Sequence, residues 1–135
     1  MSYSLEFSRL IEYDAGDPGI TVSARLWLTA EKTVEVTAKV DTGSTNCVFS
    51  RTVGESLGLK IEDGLPKRIK TAAGSFLTFQ HEVNLSVAEF NFDALCCFAE
   101  DPAFERNVLG RYGFLMQVQM GLDDYEGLLY LNRNF

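Results

Sequence analysis

Residues 40–46, Val-Asp-Thr-Gly-Ser-Thr-Asn, close an alternating run, VEVTAKV at 34–40, and lead into the apolar Cys47-Val48-Phe49. The run puts Val34, Val36, Ala38 and Val40 on one side and Glu35, Thr37 and Lys39 on the other, the two-residue period of a half-buried strand. Asp41 falls on the polar side just as the strand ends, a position that holds a short acid rigidly. The Thr-Gly that follows lets the backbone turn sharply, with its amides directed at the carboxylate. Turns also use Asp, Gly and Ser for their own sake, so the stretch alone favours a turn over a catalytic acid. The flanking chain decides between them.

Upstream, Ile20, Val22, Ala24, Leu26 and Leu28 alternate with Thr21, Ser23, Arg25, Trp27 and Thr29, which predicts a second strand joined to the first by a turn at 30–33. Downstream, Ser50 is placed to cap a short helix in which Val53 and Leu57 lie one turn apart and Gly58 takes the left-handed end position. Residues 61–101 carry little helical period. They predict hairpins punctuated at Gly64-Leu65-Pro66, Gly74-Ser75 and Glu89-Phe90-Asn91. From Val108 the chain offers a Gly-Arg corner, one helical turn around Tyr112 to Met116, and two closing strands around the polar turn at 123–127. Seven or eight short strands with one or two short helices predict a mainly β, closed or folded-over domain. Residues 1–135 are expected to form one domain, with 1–19 as an edge strand or an arm.

With 46% hydrophobic and 12% aromatic residues the chain has the balance of a folded domain, and its 135 residues suffice for one core. A formal charge of -7 and the lack of a basic run argue against nucleic acid as a partner. No apolar stretch approaches the ~20 residues that span a bilayer, and the N-terminus lacks the pattern of a secretory signal, so no membrane partner is expected. Three cysteines leave a remainder on pairing, and adjacent Cys96 and Cys97 are poorly placed to bridge each other. Reduced thiols and a cytoplasmic location are the expectation.

Taken in chain order, VEVTAKV entering DTGS, the helix-like GESLGLK at 54–60, the hairpin RIKTAAGSFLTF at 68–79, NVLGRYGFL at 107–115 and the closing LLYL at 128–131 resemble the retropepsin-like aspartic proteases, bacterial-type members included. The resemblance runs over about residues 20–131. It implies the retropepsin-like acid protease fold and an aspartic endopeptidase without metal or cofactor, acting on polypeptide. In that family two DTG aspartates face each other across a twofold axis, hold a water and share one proton. A single Asp-Thr-Gly here implies a homodimer with an Asp41/Asp41′ dyad.

The roles implied are then residue by residue. Asp41 is the general acid and base, Thr42 locks the paired loops across the axis, Gly43 admits substrate backbone, and the Ser44 hydroxyl donates to the carboxylate. Leu109 and Gly110 support the loop from beneath. Gly74 and Ser75 form the flap tip, with Ala72, Phe76 and Leu77 covering a peptide cut at apolar sites. The flap departs from the family in having one glycine and no tyrosine. Arg111 matches a family arginine whose acidic partner is replaced by Thr45 and Asn46, so it either finds another partner or is a surface cation.

Elsewhere the residues invite structural readings. His81 is most simply a strand-surface histidine, Asp123, Asp124 and Glu126 a solvated loop tip, and the phenylalanines 90, 92, 98, 104 and 114 core, with one or two lining a cleft. The competing function is a catalytically silent peptide-binding or dimerisation module on the same fold.

Overall fold

A computed structural model describes residues 1–135. Its strands are β1 (Arg9–Glu12), β2 (Thr21–Trp27), β3 (Thr33–Val40), β4 (Cys47–Phe49), β5 (Leu65–Thr71), β6 (Gly74–Val87), β7 (Phe90–Ala99), β8 (Val108–Leu109), β9 (Val118–Asp123) and β10 (Leu128–Arg133). The helix α1 (Arg51–Ser56) follows β4, and single 3-10 turns cover Ile61–Asp63 and Leu115–Gln117. The protein is mainly β, with the retropepsin-like architecture that the sequence resemblance implies.

Seven strands pair in the order β2-β3-β8-β4-β7-β6-β5, and β2 also pairs with β6, Ala24 opposite Val87 and Trp27 opposite Asn84. That extra pairing closes six strands into a barrel and leaves β5 as a free edge. It is possible because β6 is 14 residues long: its first half pairs with β5 and its last turns to β2. The predicted faces of β2 and β3 hold, with Val22, Ala24, Leu26, Ala38 and Val40 buried and Ser23, Arg25, Glu35 and Thr37 exposed. A core of 23 buried residues joins the barrel to Val118, Leu129 and Leu131 of the second sheet.

That second sheet has the order β1-β10-β9, with Arg9 opposite Leu131 and Glu12 opposite Leu128. Residues 9–12 of the N-terminal segment are thus an edge strand. At the other punctuation points the chain behaves as its local chemistry directs. Ser50 accepts a hydrogen bond from the Val53 amide and caps α1, and Gly58 takes φ +93° beyond its end.

Ten strands replace the seven or eight predicted, because β4 and β8 have three and two residues, too few to show a period, and β1 only four. The closing helical turn lies at Leu115–Gln117, later than Tyr112–Met116, since Tyr112 is held in a bridge to Asn46. Two hairpin tips also shift. The β5–β6 loop is Ala72–Ala73, with Gly74 and Ser75 already on the returning strand, because Thr71 accepts from the Ala73 amide and donates to the Gly74 carbonyl. The β6–β7 loop is Ala88–Glu89, both with positive φ.

Candidate active site

Strand β3 delivers Asp41 to the surface, and the loop that follows is fixed by backbone hydrogen bonds on both sides. The Asp41 amide donates to the Leu109 carbonyl (3.0 Å), the Arg111 amide to the Ser44 carbonyl (2.9 Å), and the Tyr112 amide to the Thr45 carbonyl (2.9 Å). Residues 109–112 therefore run along the inside of the loop and template it. Gly110 makes this possible: a β-carbon there would lie 2.2 Å from the Asn46 carbonyl oxygen and 2.6 Å from that of Ser44. The Asp41 carboxylate accepts from the Gly43 amide at 2.9 Å, and Asp41, Thr42 and Gly43 are all exposed.

Ser44 is oriented differently from the expectation. Its hydroxyl donates to the Asn46 carbonyl at 2.7 Å, which spends the hydroxyl proton inside the loop. A hydroxyl has one proton, so none remains for the Asp41 carboxylate. Ser44 is a loop tie here. Arg111, the other residue with an open reading, is an exposed side chain without an ion pair, which favours the surface-cation alternative.

Beneath the loop, the Gly110 amide donates to the Cys47 sulfur at 3.3 Å, and Cys47 stands opposite Cys96 of β7. The three cysteines are free and buried. A hydrogen bond from Cys96 holds the Cys47 thiol below its ordinary range, ahead of burial, which opposes it. Cys96 is pushed well up by the same bond and by its own burial, and desolvation raises Cys97. All three thiols are fully buried, Cys47 and Cys96 beneath the loop and Cys97 on the other face of β7 beside Gln80.

Opposite the loop stands the β5–β6 hairpin. Between its outer edge and the loop lies a cleft of about 430 Å³ bounded by Asp41, Gly43, Ser44, Thr45 and Asn46 on one wall and Lys67 to Thr71 on the other. A second recess of about 360 Å³ meets Asp41 from the β3 side and is lined by Thr21, Thr37, Lys39, Arg106, Asn107 and Val108. A third, apolar one of about 540 Å³ lies under the hairpin tip among Thr71, Ala72, Ala73, Phe76, Phe104 and Arg106. The Phe76 and Phe104 rings stack there at 4.7 Å. Of the expected flap residues, Ala72 and Phe76 line this recess, Leu77 packs against the core, and Gly74 and Ser75 are exposed.

The cations Lys39, Lys67, Arg68, Lys70 and Arg106 were missed in the sequence, which scatters them over 68 positions of ordinary-looking strand and loop. Phe104 belongs with the phenylalanines read as core or cleft, and it takes the cleft side. His81 is half-buried and structural: its Nε2 lies 2.8 Å from the Ile61 carbonyl, an acceptor, so that nitrogen carries the proton. Asp124 accepts from the Tyr13 hydroxyl at 2.6 Å, which gives the acidic turn a fixed member.

No curated protein matches the sequence. The model of the aspartyl protease family matches residues 28–111, from the end of β2 through the DTGS loop and the hairpin to the Gly-Arg corner behind the loop. That segment is more than half of the chain and contains every wall of the cleft around Asp41 except Thr21. The chain therefore belongs to the aspartyl proteases, in their retropepsin-like branch.

Proposed function

We propose that this chain is one protomer of a homodimeric aspartic endopeptidase, with Asp41 as its catalytic residue. The observation that carries the reading is the placement of Asp41: an exposed carboxylate on a loop templated by residues 109–112, facing a hairpin across a peptide-sized cleft. One Asp per protomer requires a twofold partner whose loop brings a second Asp41 against the first, with Thr42 hydrogen-bonding across the axis.

Two carboxylates in contact hold one proton between them, because ionising both is costly. The ionised one takes a proton from the water they share as its oxygen attacks the peptide carbonyl carbon, while the protonated one donates to the carbonyl oxygen. The tetrahedral adduct collapses when the scissile nitrogen takes a proton from the dyad and the C–N bond breaks. Gly43 leaves room for substrate backbone beside the carboxylate. The hairpin, with Ala72, Gly74, Ser75, Phe76 and Leu77, acts as the flap, and Leu109 and Gly110 keep the loop in shape. Three buried unpaired thiols fit a reducing compartment, which supports a cytoplasmic location.

The test is Asp41→Asn. Asn keeps an oxygen to accept from the Gly43 amide but cannot shuttle the proton, so peptide cleavage falls to background while the circular dichroism spectrum and the sedimentation coefficient stay those of the wild type. Cleavage by the pure variant sinks the assignment. Cleavage by a strictly monomeric wild-type species sinks the dyad.

A further inference from the structure

The two recesses that meet at Asp41 are basic in an acidic protein. Lys67, Arg68 and Lys70 line one and Lys39 and Arg106 the other, while Asp41 is the only acid in either lining. Five of the chain's twelve cations thus surround one of its nineteen acids. None of the five has a carboxylate partner: the ion pairs of the chain join Arg25 to Glu35 and Arg51 to Glu55 and Glu62. Nor does any of the five donate a side-chain hydrogen bond within the protein, although Arg9, Arg25, Arg51 and Arg133 do.

The fold explains how they converge. Strand β5 ends the sheet, and the cleft is lined by five consecutive residues, Lys67 to Thr71, as happens along an open edge and not on one face of a strand. Both faces of β5 therefore bring cations to the same groove. Lys39 lies two residues before Asp41 on the same side of β3, and its stem passes over Gly19, where a β-carbon would meet its Cε at 2.6 Å. Like charges gathered without counter-ions repel one another, and that repulsion is relieved by an anion entering the cleft.

We infer that the substrate is an acidic polypeptide, carrying Asp or Glu within a few residues of the scissile bond, and that Lys67, Arg68, Lys70, Lys39 and Arg106 select it. The inference rests on the endopeptidase reading. It refines the expectation of purely apolar sites: the Phe76–Phe104 recess adjoins the basic cleft at Thr71, so an apolar residue and its acidic neighbours are accommodated side by side. The rest of the surface, which holds all the other acids, repels such a peptide and leaves this cleft as its landing site.

Three quenched-fluorescence peptides that share one apolar scissile pair and differ only in flanking Glu, Gln or Lys make the test. The full-length wild type should favour Glu over Gln by about tenfold in kcat/KM, the scale of one charge-assisted hydrogen bond, and Gln over Lys. Added salt should shrink the preference. Lys67→Glu and Lys70→Glu, made separately, sit on the two faces of the edge, and erasure or reversal of the order in either one supports the inference. Equal kcat/KM for the three peptides overturns it while leaving the aspartic mechanism standing, since the Gln peptide is still cut and Asp41→Asn still stops the cut.

Should no peptide be turned over, the endopeptidase reading fails, and fluorescence anisotropy of the same peptides on Asp41→Asn protein decides the acidic preference separately. Tighter binding of the Glu peptide, lost in Lys67→Glu or Lys70→Glu, upholds it. Indifference among the three overturns it, as does a single-stranded oligonucleotide that binds more tightly and displaces the Glu peptide.

Discussion

Gly110 lies so close under Asn46 that a β-carbon on the first would come within 2.2 Å of the carbonyl oxygen of the second. Backbone, and not a flexible side chain, is what stands in the way. Gly110→Ala must therefore displace the loop that carries Asp41. We expect peptidase activity to vanish and stability to fall by about 1–3 kcal/mol, the usual range for forcing an extra carbon into a filled site. Urea denaturation and a cleavage assay check both, and an active, equally stable variant contradicts the templating role of residues 109–112.

Ser44→Ala tests the loop tie. Because the Ser44 hydroxyl donates to the Asn46 carbonyl, its removal leaves the environment of the Asp41 carboxylate unchanged and costs about 1 kcal/mol of stability. The pH–rate profile should keep its shape and position while the melting temperature drops by a few degrees. A displaced profile means that the hydroxyl serves the carboxylate after all.

Cys47, Cys96 and Cys97 should be invisible to a thiol reagent such as DTNB in the native protein and count as three thiols in denaturant. All three are buried, and Cys96 and Cys97 are raised, the first by its hydrogen bond to Cys47 and the second by desolvation. Cys47 is lowered by Cys96, yet it has no path to solvent. Rapid reaction of Cys47 or Cys96 under native conditions would reveal an opening of the barrel beneath Asp41.

Tyr13 titrates late, pushed up to about 12 by desolvation and then by its hydrogen bond to Asp124 and that carboxylate's charge. A group raised in the folded state adds stability that is complete below its unfolded value, about 10, and is lost as pH climbs through the folded one. Wild type should therefore lose stability between about pH 10 and 12 more steeply than Tyr13→Phe. Absorbance at 295 nm follows the phenol, and hydrogen exchange at β1 reports whether residues 9–12 release from β10. An identical alkaline profile for the two proteins excludes the contact as a stabiliser.

The strands on either side of Asp41 were legible because β2 and β3 have one wet face and one dry face, so their residues alternate. Ser50 and Gly58 announced α1 through the chemistry of its two ends. Strands β4 and β8 escaped because they are apolar and very short, which leaves no polar positions to mark a period. The β6–β7 turn was read one residue late, at Glu89-Phe90-Asn91, for another reason: two-residue turns of this kind favour Asn and Gly, and neither Ala88 nor Glu89 is a residue that turns advertise. At the site, the DTGS loop and Gly110 were visible as a motif and its distant complement. The basic walls were not, because only the closure of the barrel gathers Lys39, Arg106 and the β5 edge around one carboxylate.

Strand β8 sits between β3 and β4, so the loop joining those two strands has to arch over a piece of chain that comes much later. Cys47 and Gly110 are 63 residues apart, and the loop is moulded only when they meet. During synthesis, Asp41 emerges long before its template exists, and a nascent or truncated chain that ends short of Val108 carries the acid without the shape. Long-range closure of this kind is also slow relative to local folding. The order of the strands thus works as a timer: the Asp41 loop takes its shape only after residues 108–112 have been made and have slotted between β3 and β4.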